Sequence, residues 1–392
     1  MRVASIDRRS DGRYRARWRD HPGGPQHAKH FDRKVDAERF LDRVRGDLVR
    51  GIHVDPSASR IRFGAYAESW RASQIHRPTT ATLVESHLRH HVLPFFEDRP
   101  LATIRPSDIQ AWASGRSTVL APATLKVVYR YMAAIFGAAV RDRLIAASPC
   151  DQIKLPPVVH RPVEPLETAT LVRLISAMPT RYRALVVVAA ASGLRQGEAL
   201  GLEVRHIDFD EATVRVEQQL VTLGAETSIG PPKTAASVRT VPLSDVALDE
   251  LRHHFKLMGL RDWDRTRLVF TNEHDGPIRR NRFNEVWRRA ATQARLPTGT
   301  GFHALRHYYA SLLIHHGESV TVVQARLGHA SAAETLDTYS HLWPDAADRT
   351  RQAVDMVLGK ELRSAPPPEL ERVVGPARKL HRTTEPPGLS LT

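Results

Sequence analysis

The segment at 302–309, FHALRHYY, places two histidines and an arginine within little more than one helical turn. His303 and His307 are four residues apart, a spacing that puts both rings on one helix face, where they can share a metal ion. A helical zinc hydrolase also needs a carboxylate between its histidines as general base. Here Arg306 lies between them, and its fixed positive charge would repel a divalent cation. The segment therefore predicts a phosphate clamp and no metal site.

Further cations stand singly at the ends of predicted segments in the C-terminal half. Arg195 lies in ASGLRQGEALGL, Lys233 in GPPKTAASVRTVPLS and His329 in RLGHAS. Each also has a purely structural explanation. Arg195 follows Gly193, a predicted helix end, and can pair with Glu198 three residues later. Lys233 falls in a turn, and His329 precedes a helix start marked by Ser331 and Glu334. Taken singly, none of these residues predicts a function.

Tyr339, in TLDTYSHL, adds a nucleophile to this set of cations. Attack of a phenol on a phosphodiester builds negative charge on the phosphoryl oxygens, which two arginines and a histidine can stabilise. A tyrosine with an ordinary pKa of about 10 is a weak nucleophile at pH 7, so neighbouring positive charge and a general base would help to deprotonate it. The departing alkoxide needs a proton, which Lys233 on a mobile turn can supply.

A nucleotide-binding loop is not predicted. GAETSIGPPKT has two glycines and a Lys-Thr pair, but the lysine does not directly follow the second glycine, and two prolines remove amide donors. We therefore expect neither ATP nor any other cofactor.

In this order, the five segments resemble those of the tyrosine recombinase family in its phage-integrase branch. SGLRQGE is similar to the first arginine box, PPKTAASVRTVPL to the β-hairpin lysine segment, HALRH to the His-x-x-Arg box, LGHAS to the second histidine box and TLDTYSH to the nucleophile segment. The similarity extends over residues 165–357. One departure is Ser192, where threonine is more common, although serine keeps the hydroxyl.

The resemblance implies a site-specific recombinase that cleaves and rejoins DNA through a 3′-phosphotyrosine link. It also implies a role for a residue in each segment. These are the nucleophile Tyr339, the phosphate-binding residues Arg195, Arg306 and His329, the proton-transfer residues His303 and Lys233, and the supporting carboxylate Glu198.

Two other tyrosines are rival nucleophiles. Tyr308 and Tyr309 follow Arg306 on the same predicted helix, where aromatic side chains usually pack into the core. We therefore predict a structural role for both. His307 and His341 are predicted to be structural or to lie near DNA.

The charge balance indicates a polyanionic partner. The 392 residues include 57 Lys and Arg against 43 Asp and Glu, a formal net charge of +14. Such an excess favours a nucleic acid, because each neutralised phosphate releases a counterion. The single cysteine, Cys150, excludes an intramolecular disulfide and favours a reducing compartment. No signal-peptide pattern or apolar run near ~20 residues is evident, so a cytoplasmic, nucleoid-associated location is expected.

The predicted fold is mainly α with small β-sheets, an α+β class. Residues 1–55 are predicted to form an arm-type DNA-binding sheet with one helix, 61–153 a helical core-binding domain, 165–357 the catalytic domain, and 358–392 a disordered tail. The family resemblance implies that the helical and catalytic domains close around DNA as a clamp.

Two surfaces outside the catalytic domain are predicted to contact DNA. RYRARWR alternates strictly, so its arginines share one strand face and its aromatic residues the other. A long helix near 122–144 has a basic side opposite its apolar one. The predicted DNA-binding residues are Arg13, Arg15, Arg17, Arg19, Lys126 and Arg130.

The predicted function is integration or excision of a mobile element on double-stranded DNA. A homotetramer on two duplexes is expected to carry it out, and a directionality factor is a further candidate partner. Alternatives are a type IB topoisomerase-like enzyme, which would relax plasmids lacking any attachment site, and a DNA-binding regulator without chemistry, which would form no covalent adduct. A metal hydrolase, sensitive to EDTA, is the most distant alternative.

Overall fold

The computed structural model describes residues 4–19, 24, 26–49, 60–159, 162–224, 226–343, 351–352 and 354–364. Within these ranges the fold is mainly helical with small antiparallel sheets, which confirms the predicted α+β class. The buried apolar side chains form three clusters that follow one another along the chain. The predicted boundaries between domains stay predictions.

The first cluster lies between a three-stranded sheet and one helix. Strands β1 (Ala4–Arg8), β2 (Tyr14–Arg19) and β3 (Gln26–Phe31) pair antiparallel, and helix α1 (Lys34–Val49) packs against them. Ala16 and Trp18 of β2 are buried against Leu41 of the helix. Because side chains alternate along a strand, the arginines of β2 lie on the opposite face, as the alternating sequence predicts.

The second cluster is helical. Pro78, Pro106 and Pro122 each occupy the first turn of a helix, where the missing N–H leaves no intrahelical hydrogen bond unmade. The helices are α2 (Phe63–Ser73), α3 (Pro78–His87), a π-helical turn (Leu88–Val92), α4 (Leu93–Phe96), α5 (Pro106–Ser117) and α6 (Pro122–Arg141).

Helix α6 is central to this unit. It is long and apolar enough to span a membrane by length and composition alone. Its apolar stripe is instead buried in the helical core: Leu125, Val128, Met132 and Phe136 are fully buried and recur at helical spacing. The composition of α6 therefore reflects its place in that core.

The third cluster holds the segments with the candidate catalytic residues. A small sheet of order β4-β5-β8 and a β6–β7 hairpin are set among helices, with α8 packed against α10 and α12. The elements are α7 (Thr168–Ala177), α8 (Thr180–Ser192), α9 (Gln196–Leu200), β4 (Ile207–Asp208), β5 (Thr213–Val216), β6 (Gln219–Leu223), β7 (Glu226–Gly230), β8 (Arg239–Pro242), α10 (Asp245–Met258), α11 (Arg280–Gln293), α12 (His303–His315), α13 (Val320–Leu327) and α14 (Ala332–Tyr339).

The described part of the tail predicted to be disordered, 358–364, is helical. A π-helical turn (Asp355–Gly359) continues into helix α15 (Lys360–Ser364). The sequence KELRS consists mostly of strong helix formers, and the proline run begins only at 366. Residues 365–392 lie outside the described ranges.

Candidate active site

The predicted catalytic segments meet in one region of the third unit. The end of α8, the start of α12 and the turn between α13 and α14 lie side by side, and the loop before β8 borders them. Contacts between residues far apart in sequence therefore determine the geometry of the site.

Gly193 ends α8 in a left-handed conformation with φ of 65°. The same position demands glycine for a second reason, because a Cβ there would lie 2.5 Å from the ring of Tyr309. The Gly193 carbonyl accepts a hydrogen bond from Nη1 of Arg306 at 2.8 Å. Ser192, next to it, donates its hydroxyl to the carbonyl of Val188 at 2.5 Å within α8. The backbone of the first arginine segment thus holds the guanidinium group of Arg306 in place.

Arg195 precedes α9 and is held by Glu198. The carboxylate accepts from the Arg195 backbone N–H at 3.0 Å and from Nη1 at 2.9 Å. It also accepts from Nη2 of Arg239 at 2.9 Å. Burial favours a raised pKa for Glu198, but Arg239 and Arg195 outweigh it and hold that pKa below its usual value. Glu198 is therefore an ionised carboxylate shared by two arginines, so one positive charge stays unbalanced.

Arg239 is a structural member of this site that the sequence did not single out. Its side chain is 6% exposed. Besides Glu198 it donates to the carbonyls of Ser237 at 2.9 Å and Arg326 at 2.7 Å. These bonds tie the start of β8 to the end of α13. Its position inside the RTVPL strand, at the edge of the lysine segment, is the signal that could have marked it.

Arg306 carries the least balanced charge of the site. The residue is 1% exposed, and its Nη2 has no hydrogen-bonding partner among the described residues. Burial, together with repulsion from Arg195, lowers the pKa of Arg306 to about 9. A buried guanidinium with a free donor is costly unless an anion is bound. The side chain is thus suited to hold an anion such as a phosphate.

Tyr339, the last residue of α14, is buried in this region at 1% exposure. Its hydroxyl lies 2.9 Å from Nδ1 of His307. Its ring stacks on His329, with centroids 6.4 Å apart and planes at 13°. Burial raises the pKa of Tyr339 to about 12, although the charges of Arg306 and Arg195 act in the opposite direction. The phenol is therefore protonated at neutral pH.

His329 is fixed by the start of α14. Ser331 caps that helix by accepting from the Glu334 N–H at 3.3 Å, as the sequence predicts. Nδ1 of His329 lies 2.8 Å from the hydroxyl of the fully buried Thr335, and Nε2 lies 3.7 Å from Glu334. Burial and the charge of Arg306 lower the pKa of His329 to about 4. The ring is therefore neutral at pH 7.

His303 and Lys233 lie at the outer side of the site. His303 begins α12, is exposed, and its ring meets that of His307 with centroids 4.7 Å apart. Lys233 is exposed on the loop between β7 and β8. That loop is anchored at Ser237, whose hydroxyl accepts from Arg195 at 3.3 Å and lies 2.9 Å from that of Thr234. The structure thus gathers the other predicted catalytic residues and leaves Lys233 on an exposed loop four positions from the anchor.

The rival residues take structural positions. Tyr308 and Tyr309 are buried in the core of this unit, and the Tyr308 hydroxyl lies 3.0 Å from that of Thr168. His341 lies 2.9 Å from the carbonyl of Val163 through Nε2. His307 differs from these, because it contacts the hydroxyl of Tyr339. Sequence reasoning missed this contact.

The predicted DNA-binding residues of the N-terminal sheet already have protein partners. Asp7 on β1 lies 2.8 Å from Nη2 of Arg15 and 2.9 Å from Nε of Arg17. Arg13 pairs with Asp32 at 3.2 Å, and Arg19 donates to the carbonyl of Gly24.

The two basic residues predicted on the long helix are both exposed. Lys126 and Arg130 lie on the solvent side of α6. No group of three or more His, Cys, Asp or Glu side chains suited to a metal ion occurs in the described part of the chain.

Comparison with known proteins gives the same assignment for two stretches of the chain. A sequence model described as the Phage integrase family matches residues 164–345. A second, described as the Phage integrase N-terminal SAM-like domain, matches residues 62–115.

The related proteins are named as integrases, and a solved integrase structure has the same fold. A Mycobacterium tuberculosis protein named as the prophage phiRv2 integrase is 29% identical over 355 residues, which cover 85% of this chain and 92% of that protein. The ICEBs1 integrase of Bacillus subtilis is 29% identical over 234 residues, covering 57% of this chain and 63% of its own. The Tn1549 transposon integrase in complex with a circular intermediate DNA has the same fold, with a TM-score of 0.64 at 20% identity, covering 75% of this chain and 99% of that one.

Proposed function

We propose that this chain, which belongs to the phage integrase family of tyrosine recombinases, cuts and rejoins DNA at specific sites through a covalent 3′-phosphotyrosine intermediate. The product is an integrated or excised mobile element. Relatives named as integrases of a prophage and of the ICEBs1 element support this direction.

A single observation carries the chemical part of the proposal: a buried phenol lies beside an arginine with an unused donor. Nη2 of Arg306 has no partner among the described residues, and Tyr339 lies close enough for the charge of Arg306 to affect its pKa. Arg195 contributes a second positive charge. A phosphodiester bound by these guanidinium groups would satisfy the free donor and lie next to a nucleophile.

In the proposed reaction Tyr339 attacks the scissile phosphorus, so an Oη–P bond forms while the P–O5′ bond breaks, and the phenol proton leaves through His303 to solvent. Arg195 and Arg306, with His329 as a hydrogen-bond donor, stabilise the charge on the phosphoryl oxygens. The 5′ oxygen leaves with a proton from Lys233, which the loop anchored at Ser237 would bring to the bound DNA. The ester keeps the bond energy, so that attack by a 5′-hydroxyl rejoins the strand by the reverse path.

Two further residues complete the proposed machinery. Glu198 supports the clamp by holding the guanidinium of Arg195. His303, exposed at the start of α12, assists proton transfer at the edge of the site.

We further propose that four copies of the chain act on two duplexes in the cytoplasm, at the nucleoid, with a directionality factor selecting integration or excision. A lambda integrase tetramer bound to a Holliday junction has a similar fold, with a TM-score of 0.55 at 17% identity, covering 84% of this chain and 96% of that one. The formal charge of +14 is consistent with binding to DNA.

The test is formation of a covalent adduct. Full-length protein is mixed with a nicked duplex made from the sequence at the element–host junction, and the adduct is separated in denaturing gel. Wild type is expected to form it, and Tyr339→Phe to form none, because the phenol oxygen is the proposed nucleophile. Tyr308→Phe is the matched control and should retain adduct formation.

Two results would contradict the proposal. An adduct with Tyr339→Phe would show that another residue is the nucleophile. Salt-sensitive DNA binding by the wild type without any adduct would leave a binding protein without chemistry.

A further inference from the structure

His307 contacts the hydroxyl of Tyr339 directly. The two residues are 32 positions apart, and Nδ1 of the imidazole lies 2.9 Å from Oη. Their rings also meet edge to face, with centroids 5.6 Å apart. His329 touches the phenol differently, by stacking on its ring, and its own Nδ1 faces Thr335. Of these two histidines, His307 is therefore the one placed to orient the hydroxyl.

The protonation state of His307 favours the role of hydrogen-bond acceptor. Burial, with the neighbouring His303 and Arg306, lowers its pKa to about 4, so the imidazole is neutral at pH 7 and one ring nitrogen has a free lone pair. The phenol is protonated, since its pKa is raised to about 12. The hydroxyl lies 2.9 Å from a neutral imidazole and within electrostatic range of two guanidinium groups, so it is best aligned when its hydrogen points to the imidazole.

That alignment turns the oxygen lone pairs of Tyr339 away from His307 and leaves them available to a group bound near the positive charges of Arg306 and Arg195. A phosphate held by these arginines would then face the lone pairs and not the O–H bond. Pre-alignment of this kind raises the rate of a displacement, because the reacting atoms already have the orientation that the reaction requires. Tyr339 ends α14, and its contacts with His307 and His329 restrain its side chain.

We propose that His307 is a positioning residue for the nucleophile: its Nδ1 accepts the hydrogen bond of Tyr339 and holds the phenol oxygen toward the phosphate site. This inference rests on the proposed function of the same site. It gives the second histidine of the HALRH segment a role separate from that of His303. His303 serves proton transfer at the exposed edge, while His307 serves the inner side of the same helical turn.

Two amide variants test which ring nitrogen matters. In His307→Asn the side-chain oxygen can occupy the place of Nδ1, whereas in His307→Gln the amide reaches the place of Nε2. We expect His307→Asn to form the covalent adduct within a few-fold of the wild-type rate, and His307→Gln to be slower by on the order of 100-fold. Binding of the same nicked junction duplex, measured with each substitution in a Tyr339→Phe background, should be unchanged, because the arginine clamp stays intact.

A second substrate separates positioning from proton supply to the leaving group. A duplex with a 5′-bridging sulfur at the scissile phosphate has a thiolate leaving group, which needs no proton. His307→Gln should remain slow on this substrate, whereas Lys233→Ala should recover most of its rate.

Each outcome decides a separate point. Equal rates for His307→Gln and wild type would overturn the inference, as would rescue of His307→Gln by the sulfur substrate. Loss of activity in His307→Asn as large as in His307→Gln, with both variants folded by circular dichroism, would also overturn it. Absence of an adduct with the wild type would instead refute the proposed function, and this inference with it.

Discussion

The catalytic pocket and the N-terminal sheet both concentrate arginines, but they balance the positive charge differently. In the sheet, Asp7 lies within 3 Å of both Arg15 and Arg17, all of them about a third exposed. In the pocket, Glu198 is shared between Arg195 and Arg239, and Arg306 keeps a donor without a partner among the described residues. The availability of an arginine for an anion therefore depends on neighbours that are distant in sequence.

The ion pairs of the pocket and of the sheet also differ in how far they are exposed to solvent. The side chains of Glu198 and Arg239 are 2% and 6% exposed, so their interaction is screened little by water. The ion pairs of the sheet lie at the surface, where water and salt weaken them. We therefore expect substitutions in the pocket to have large effects on activity and stability, and equivalent substitutions in the sheet to have small ones.

The largest expected effect is on catalysis by Arg306→Lys. Lysine keeps the charge but cannot both donate to the Gly193 carbonyl and present a second donor to a phosphate in the planar geometry of arginine. We expect the rate of covalent adduct formation to fall about 10²–10³-fold, as for loss of a transition-state donor. Arg15→Lys in the sheet is the matched control and should leave that rate unchanged. A rate within a few-fold of wild type for Arg306→Lys would show that the pocket and the sheet do not differ in this way.

A smaller effect is expected on stability from Arg239→Met, which keeps much of the volume and removes the charge. Glu198 would lose one of its two arginine partners, and the carbonyls of Ser237 and Arg326 would lose a donor. Breaking a buried pair on one side lowers the free energy of unfolding by about 3–5 kcal/mol. The matched substitution Arg17→Met in the sheet should lower the free energy of unfolding much less, because its ion pair with Asp7 is partly exposed. Urea-induced unfolding, followed by circular dichroism, measures the free energy of unfolding of both variants. Equal losses would contradict the proposed difference between the pocket and the sheet.

The sequence predicts a feature best when the residues that form it lie close together along the chain. The cap at Ser331, the turn at Gly193 and the pair of Arg195 with Glu198 join residues a few positions apart, and the spacing of residues predicts each of them. The fold class follows from periodicity in the same way.

The features that sequence reasoning missed depend on long-range contacts or on competing local preferences. His307 meets Tyr339 across 32 positions, and Arg239 meets Glu198 across 41. Alternation correctly predicts one face for the arginines of β2, but nothing in RYRARWR indicates that Asp7 on the neighbouring strand pairs with two of them. At the chain end, the proline-rich composition obscured five helix-forming residues, Lys360–Ser364.

The smallest expected effect concerns DNA binding by the sheet. Asp7→Asn keeps the shape of the side chain but removes the charge that Arg15 and Arg17 now share. Hydrogen bonds from Arg15, together with the nearby charge of Arg17, hold the pKa of Asp7 below its usual value, so Asp7 is charged at neutral pH. If the arginine face of β2 contacts phosphates, Asp7→Asn should raise affinity for a duplex from the end of the element by about 2- to 5-fold, the scale of an exposed ion pair.

The salt dependence of that affinity gives the sharper readout. Each additional phosphate contact steepens the plot of log affinity against log salt by about 0.9. Full-length Tyr339→Phe protein is the background, so that binding is measured without cleavage. Asp42→Asn, which removes the same charge from the exposed side of α1, is the control and should change the slope less. Equal slopes for Asp7→Asn and Asp42→Asn would mean that the arginines of the sheet stabilise the fold through Asp7 and do not contact DNA.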